Sequence, residues 1–177
     1  VYNRSDVRNR KVEALARRLH RQRPDVQIHA LAARADSEFL DRRLPDVSLV
    51  VEATGDPEVR RMTNGACLTH RTPWLTGGAS GADGFFATLR PDLDGQPCWA
   101  CIEPESDPPG EPVQGGAPPV AGIIGAAMAL GALRTLMEDP ESAPGETRLH
   151  RLAGGDGTWR STAAHRRAGC PACGGDA

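Results

Sequence analysis

Two cysteine pairs of identical spacing, Cys98-Trp99-Ala100-Cys101 and Cys170-Pro171-Ala172-Cys173, carry the clearest chemistry in this sequence. A two-residue spacer lets both thiolates of a pair point at one cation. Two such pairs complete a closed tetrahedral tetrathiolate, the arrangement of structural zinc, with no coordination position left for water. The expected role is to stabilise the fold, not to act as a Lewis acid. Two disulfides or a redox pair are the competing readings. The cytosolic setting expected for this chain disfavours disulfides, and a redox motif has no need of a duplicate, so zinc is preferred. The pairs lie far apart in sequence, so the metal would tie the tail to the middle of the chain. The fifth cysteine, Cys67, sits between Ala66 and Leu68 in an expected helix and reads as a small buried hydrophobe.

The elements that position these residues follow from periodicity. Val7, Val12, Leu15, Ala16 and Leu19 fall mostly on one face of an amphipathic helix over 6–23, stopped by Pro24. Residues 26–31 alternate as a strand should. A weaker helix is expected over 36–44, with Asp36 at its N-cap. Residues 48–53 are short, apolar and β-branched, as in a buried parallel strand. Asp56 and Pro57 then suit the N-cap and first position of a helix reaching about residue 69. Strands follow over 74–79 and 84–90. This helix-then-strand order predicts an α/β fold, a largely parallel sheet with flanking helices. Residues 91–119 are rich in proline, glycine and acids and read as a long crossover loop, broken only by the first cysteine pair. A helix of small and apolar residues is expected over 119–137; it reads as packing on a sheet, being short for a membrane span. Residues 147–152 and 158–162 predict a hairpin, and residues 164–177 a zinc-binding tail, so the C-terminal β portion would be zinc-tethered.

The chain has 177 residues and a net charge of -2, with 39% hydrophobic and 4% aromatic residues. These figures suit a single soluble domain and give no reason to expect nucleic acid, or a membrane. No leader-like pattern opens the sequence, so a cytoplasmic location is the expectation. Lys11 is the only lysine among 21 lysine and arginine residues.

The order of these pieces resembles the ThiF/MoeB/HesA family, bacterial relatives of ubiquitin-activating enzymes. The pieces are VYNRSDVRNRKVEALARRL at 1–19, LVVEATGDPEVRRMTN at 49–64, the Pro73 to Phe85 stretch, PVAGIIG at 119–125, and the two cysteine pairs. The resemblance implies a Rossmann-like fold and an ATP-dependent adenylyltransferase using Mg²⁺. Such enzymes activate the C-terminal carboxylate of a ubiquitin-like sulfur-carrier protein or of a peptide, and are commonly homodimers. It implies that Lys11 contacts the ATP phosphates. Where the family reads Thr-Asp-Asn this chain reads Thr54-Gly55-Asp56, so Gly55 stands in the aspartate's place. Either Asp56 takes over the catalytic, Mg-ATP-binding role, or it only caps its helix. Glu111 stands where some members keep a reactive cysteine, so no thiol chemistry is expected. The family's glycine-rich nucleotide loop has no counterpart from Val1 onward, and Gly77-Gly78-Ala79-Ser80-Gly81 does not replace it, so an N-terminally incomplete copy is expected. The alternative is a non-catalytic, zinc-stabilised pseudoenzyme that binds a carrier protein or an active homologue.

Overall fold

The computed structural model describes residues 2–102, 115–137 and 146–174. Residues 103–114 of the expected 91–119 loop, with Glu111, lie outside the described residues, as does the end of the zinc-binding tail. The chain divides into two compact units, Val1–Ala35 and Asp36–Ala177.

In the first unit, helix α1 (Lys11–Gln22) is shorter than the expected 6–23. Arg8 has φ +73°, a left-handed conformation that no α-helix can run through. A short 3-10 turn, Arg4–Asp6, takes up the start instead, capped by Asn3. The strand expected over 26–31 does not form. Alternation makes a segment compatible with a sheet, but a strand exists only where another supplies its ladder bonds. Residues 26–31 pair with no described segment, and Val26 and Leu31 stay 44% and 40% exposed.

The second unit is built on one five-stranded sheet in the order β1-β2-β3-β4-β5. Its strands are β1 (Val50–Glu52), β2 (Trp74–Ser80), β3 (Asp83–Leu89), β4 (Arg148–Ala153) and β5 (Thr158–Ala163). The α/β class, the flanking helices and the C-terminal β hairpin are as the sequence implied. The share of parallel pairing is not: only β1 and β2 run parallel, and the other three pairings are antiparallel. Connection length decides this. Only Gly81 and Ala82 separate Ser80 from Asp83, its cross-strand partner, and a two-residue link can make only a hairpin. Gly81 supplies the left-handed φ of +55° that this turn needs.

One sheet face is covered by α2 (Ser37–Arg43), α3 (Pro57–His70) and the short α4 (Trp99–Ile102). Leu40, Leu44, Cys67, Trp74, Leu89, Trp99 and Leu149 form its core. The caps match the sequence: Asp36 accepts the Phe39 N–H at 2.9 Å, and Asp56 accepts the Glu58 N–H at 2.8 Å. Cys67 is fully buried in this core, which pushes its thiol up to about 12.

The other face is covered by α5 (Pro118–Met137), through Val120, Ile124 and Met128 against Leu75 and Leu152. With 20 residues, α5 is long and apolar enough to cross a membrane by length and composition, a length the sequence reading had put lower. In this fold it lies on β2 and β3. Its outward side leaves Ile123, Leu130, Leu133, Leu136 and Met137 exposed. The close approach depends on glycines in the strands. A Cβ at Gly77 would run into the Met128 sulfur and sit 2.9 Å from the Phe85 carbonyl oxygen. Gly77→Ala is therefore expected to destabilise the protein by about 1–3 kcal/mol, as overpacking of a filled core does. Urea unfolding would read it as a lower midpoint with an unchanged slope.

Candidate functional site

The structure brings all four predicted metal ligands together. Cys98 Sγ lies 3.8 Å from Cys101 Sγ and 3.7 Å from Cys170 Sγ, and Cys101 Sγ lies 3.6 Å from Cys173 Sγ. All four sulfurs fall within 4.8 Å of one another. A regular tetrahedron with metal–sulfur bonds of about 2.3 Å has edges of about 3.8 Å. A disulfide needs sulfurs about 2.05 Å apart, and all five cysteines are free. The quartet therefore has the donor type, number and spacing to hold one tetrahedral cation.

Local backbone geometry makes each pair a tight turn. The Cys101 N–H donates to the Cys98 carbonyl at 3.1 Å, and the Gly174 N–H to the Cys170 carbonyl at 2.9 Å. Arg167 bonds from the tail to the first pair, and Arg166 bonds within the tail. The Arg167 backbone N–H donates to Cys101 Sγ at 3.4 Å and its guanidinium to the Ala100 carbonyl at 3.2 Å. Arg166 donates to the Cys173 carbonyl at 2.7 Å. Four thiolates around a divalent cation carry a net charge of about −2, which nearby guanidinium groups offset. The thiols are not equivalent. Burial pushes Cys98 and Cys173 up. Burial also acts upward on Cys170, but backbone N–H groups of Cys173 and Ala172, with the neighbouring thiols, bring it down to about 6. A divalent cation takes all four as thiolates and releases the remaining protons.

A second cluster lies at the end of β1. Glu52 and Arg60 form an ion pair with side chains 2% and 9% exposed, Arg60 Nε lying 3.1 Å from Glu52 Oε2. Arg60 Nε also donates to Thr76 Oγ1 at 2.9 Å, and the Thr76 hydroxyl donates to Glu52 Oε2 at 2.7 Å. The other carboxylate oxygen, Oε1, accepts from the Thr54 N–H at 2.7 Å and hydroxyl at 2.6 Å. Thr54 Oγ1 in turn accepts the Asp56 N–H at 3.1 Å. The Arg60 guanidinium stacks 4.9 Å from the Phe85 ring centre and 5.2 Å from that of Trp99, within cation–π range. Sequence reasoning missed Glu52, Arg60, Thr76 and Trp99. One signal was available: a carboxylate inside an apolar strand, with an arginine eight residues later in the first turns of a helix.

Asp56 is the N-cap of α3, its Oδ1 accepting from Glu58 and Val59. Gly55 has φ +74° with open space where a Cβ would stand. The turn thus needs a left-handed residue where the aspartate was looked for, and glycine meets that need without strain. Lys11, in the other unit, is the first residue of α1 and is exposed.

Comparison with known proteins places these features. A profile of the ThiF family matches residues 1–172. The chain is 32% identical over 177 residues to the sulfur carrier protein ThiS adenylyltransferase of Escherichia coli K12, covering 99% of this chain and 69% of that protein. It is 27% identical to the SAMP-activating enzyme E1 of Haloferax volcanii, covering 96% of this chain and 62% of that protein. Among solved structures, Escherichia coli MccB with ATP matches with a TM-score of 0.77 at 18% identity, which shows a shared fold. That match covers 98% of this chain and 53% of MccB, so the chain spans about half the length of the structure.

Proposed function

We propose, because this chain belongs to the ThiF family, that it acts in ATP-dependent adenylylation of the C-terminal carboxylate of a ubiquitin-like sulfur-carrier protein or peptide. The observation that carries this reading is the agreement of nearly the whole chain with a relative named as a sulfur-carrier adenylyltransferase. A carboxylate is a poor electrophile. Its oxygen attacks the α-phosphorus of ATP, the bond to the β-phosphate bridging oxygen breaks, and pyrophosphate leaves. The acyl-adenylate then carries a good leaving group. Rate enhancement in such a step comes from positioning and charge neutralisation. In this reading Lys11 contacts the phosphates and Asp56 serves Mg-ATP, with no reactive cysteine at position 111. The cation of the cysteine quartet is zinc, in a structural role. A homodimer fits the outward apolar side of α5, and the protein works in the cytoplasm, where thiols stay reduced.

The test is ATP–pyrophosphate exchange with carrier proteins ending in Gly-Gly. Asp56→Asn separates the two roles of Asp56, since asparagine caps a helix as well as aspartate but brings no charge to Mg²⁺. The expected result is an unchanged melting temperature with exchange reduced on the order of 10²-fold, the scale of one lost electrostatic contact. Unchanged exchange would leave Asp56 as a cap only. No exchange by the intact protein with any such carrier would favour the pseudoenzyme, whose motivating observation is Gly55 in place of an acid.

A further inference from the structure

The first cysteine pair and the Thr54 to Asp56 turn are joined by an unbroken series of contacts, and each link has a direction. The pair's own second residue, Trp99, starts it. Its backbone N–H donates to Asn64 Oδ1 at 2.8 Å, a buried bond that fixes the turn of the pair against α3. Its ring lies against the Arg60 guanidinium and stacks on Phe85 with ring centres 5.7 Å apart. The Arg60 guanidinium therefore packs against both rings of this stacked pair, 4.9 Å from the Phe85 centre and 5.2 Å from the Trp99 centre. That contact sets where Nε points, and Nε meets Glu52 Oε2 and Thr76 Oγ1. Glu52, fixed on one oxygen, uses the other to hold both the backbone N–H and the hydroxyl of Thr54. Thr54 Oγ1 spends its one proton on Glu52 and accepts from the Asp56 N–H. Gly55, with nothing within 4 Å of its Cβ position, gives this turn no packing of its own. The order of the turn thus depends on the carboxylate beneath it.

One detail marks Trp99 as more than filler. Its indole Nε1 is buried with no hydrogen-bond partner among the described residues. A buried unpaired donor is unfavourable, so the ring is seated by its stacking and by the cysteines on either side of it.

We propose that Trp99 and Arg60 are positioning residues that couple the metal quartet to the Thr54 to Asp56 turn, so that metal loss loosens the nucleotide end of the site. Its functional weight rests on the reading of Asp56 given above; the coupling itself does not, and the two can be tested apart.

The experiment is hydrogen exchange, read by mass spectrometry on a peptide covering residues 53–57, in the zinc-loaded protein, the chelated protein and three variants. Trp99→Ala and chelation are each expected to speed exchange at the Thr54 and Asp56 amides at least about 10-fold, the factor for loss of one good contact. Peptides of β2 should stay within about twofold. Trp99→Phe keeps the stacked ring without the orphan N–H and should restore slow exchange. Arg60→Lys keeps the charge beside Glu52 and touches none of the four cysteine ligands, but loses the planar stack, and should speed the same amides. Metal content of the Arg60→Lys protein should stay at one ion per chain. If Trp99→Ala speeds every peptide alike, Arg60→Lys decides by the same two criteria. Unchanged exchange at 53–57 in Arg60→Lys, or after chelation, would overturn the coupling. A loosened turn with undiminished ATP–pyrophosphate exchange would uphold the coupling and refute the Asp56 reading.

Discussion

Cys98→Ser is expected to abolish stoichiometric metal binding and to lower the melting temperature by about 10 °C. The metal would join positions 98 and 170, which are 72 residues apart. The chain-entropy estimate for closing a loop of that size is about 4 kcal/mol. A domain of this length loses about 2–4 °C of melting temperature per kcal/mol. Serine keeps the shape of the side chain and removes the soft thiolate. Cys98 is buried beside Trp99, so the variant also leaves three thiols with no cation to share. The control is Cys67→Ala, which is buried but not a member of the quartet, and which should keep full metal content. A chelator should lower the melting temperature of the wild type to near that of Cys98→Ser and leave the variant unmoved. Metal content and melting temperature both equal to wild type in Cys98→Ser would refute a structural metal at the quartet.

That the quartet was legible in the sequence, while the ion pair beneath the turn was not, has a physical cause. A cysteine pair two residues apart declares its geometry locally, because the spacer alone fixes where two sulfurs can point. The two pairs then need only be assumed to meet. Helix caps are legible for the same reason: Asp56 and Pro57 act on the backbone groups next to them. The Glu52, Arg60, Thr76 and Trp99 cluster is assembled from β1, α3, β2 and the first cysteine turn, at separations up to dozens of residues. No local pattern states that these four share one buried volume. The strand expected at 26–31 failed in the opposite sense. Its alternation was correctly read, but pairing depends on a second segment that alternation says nothing about. Gly55 shows a third case. In the sequence it looked like a missing acid; in the structure its φ of +74° shows a turn built around glycine. The parallel share of the sheet was overstated because a repeated helix-then-strand order says nothing of the two-residue link at Gly81 and Ala82, which forces β3 to turn back.

Arg60→Met is expected to be the most damaging single change at the second cluster. It leaves the Glu52 carboxylate, 2% exposed, without its counter-charge, and such losses cost about 3–5 kcal/mol. The cation–π contacts with Phe85 and Trp99 go with it, although the methionine side chain still packs against the rings. The double variant Glu52→Leu with Arg60→Met removes both charges, and is expected to recover to within about 1–2 kcal/mol of the wild type, as apolar replacements of buried pairs often do. The two changes should be strongly non-additive, with a coupling energy on the order of 2–3 kcal/mol in a double-mutant cycle read by urea unfolding. Additive losses would mean that the pair is not the energetic unit its geometry describes. The recovered double variant then separates stability from organisation of the turn. Its fold is restored, yet leucine at position 52 offers Thr54 no acceptor. The Thr54 and Asp56 amides should remain in fast exchange, and on the proposed reading of Asp56 ATP–pyrophosphate exchange should be reduced, in a protein that melts close to the wild-type temperature. A buried carboxylate in an apolar strand is an expensive way to hold a sheet together. It is an effective way to hold a turn, because its second oxygen reaches a backbone N–H and a hydroxyl that no apolar side chain can bind.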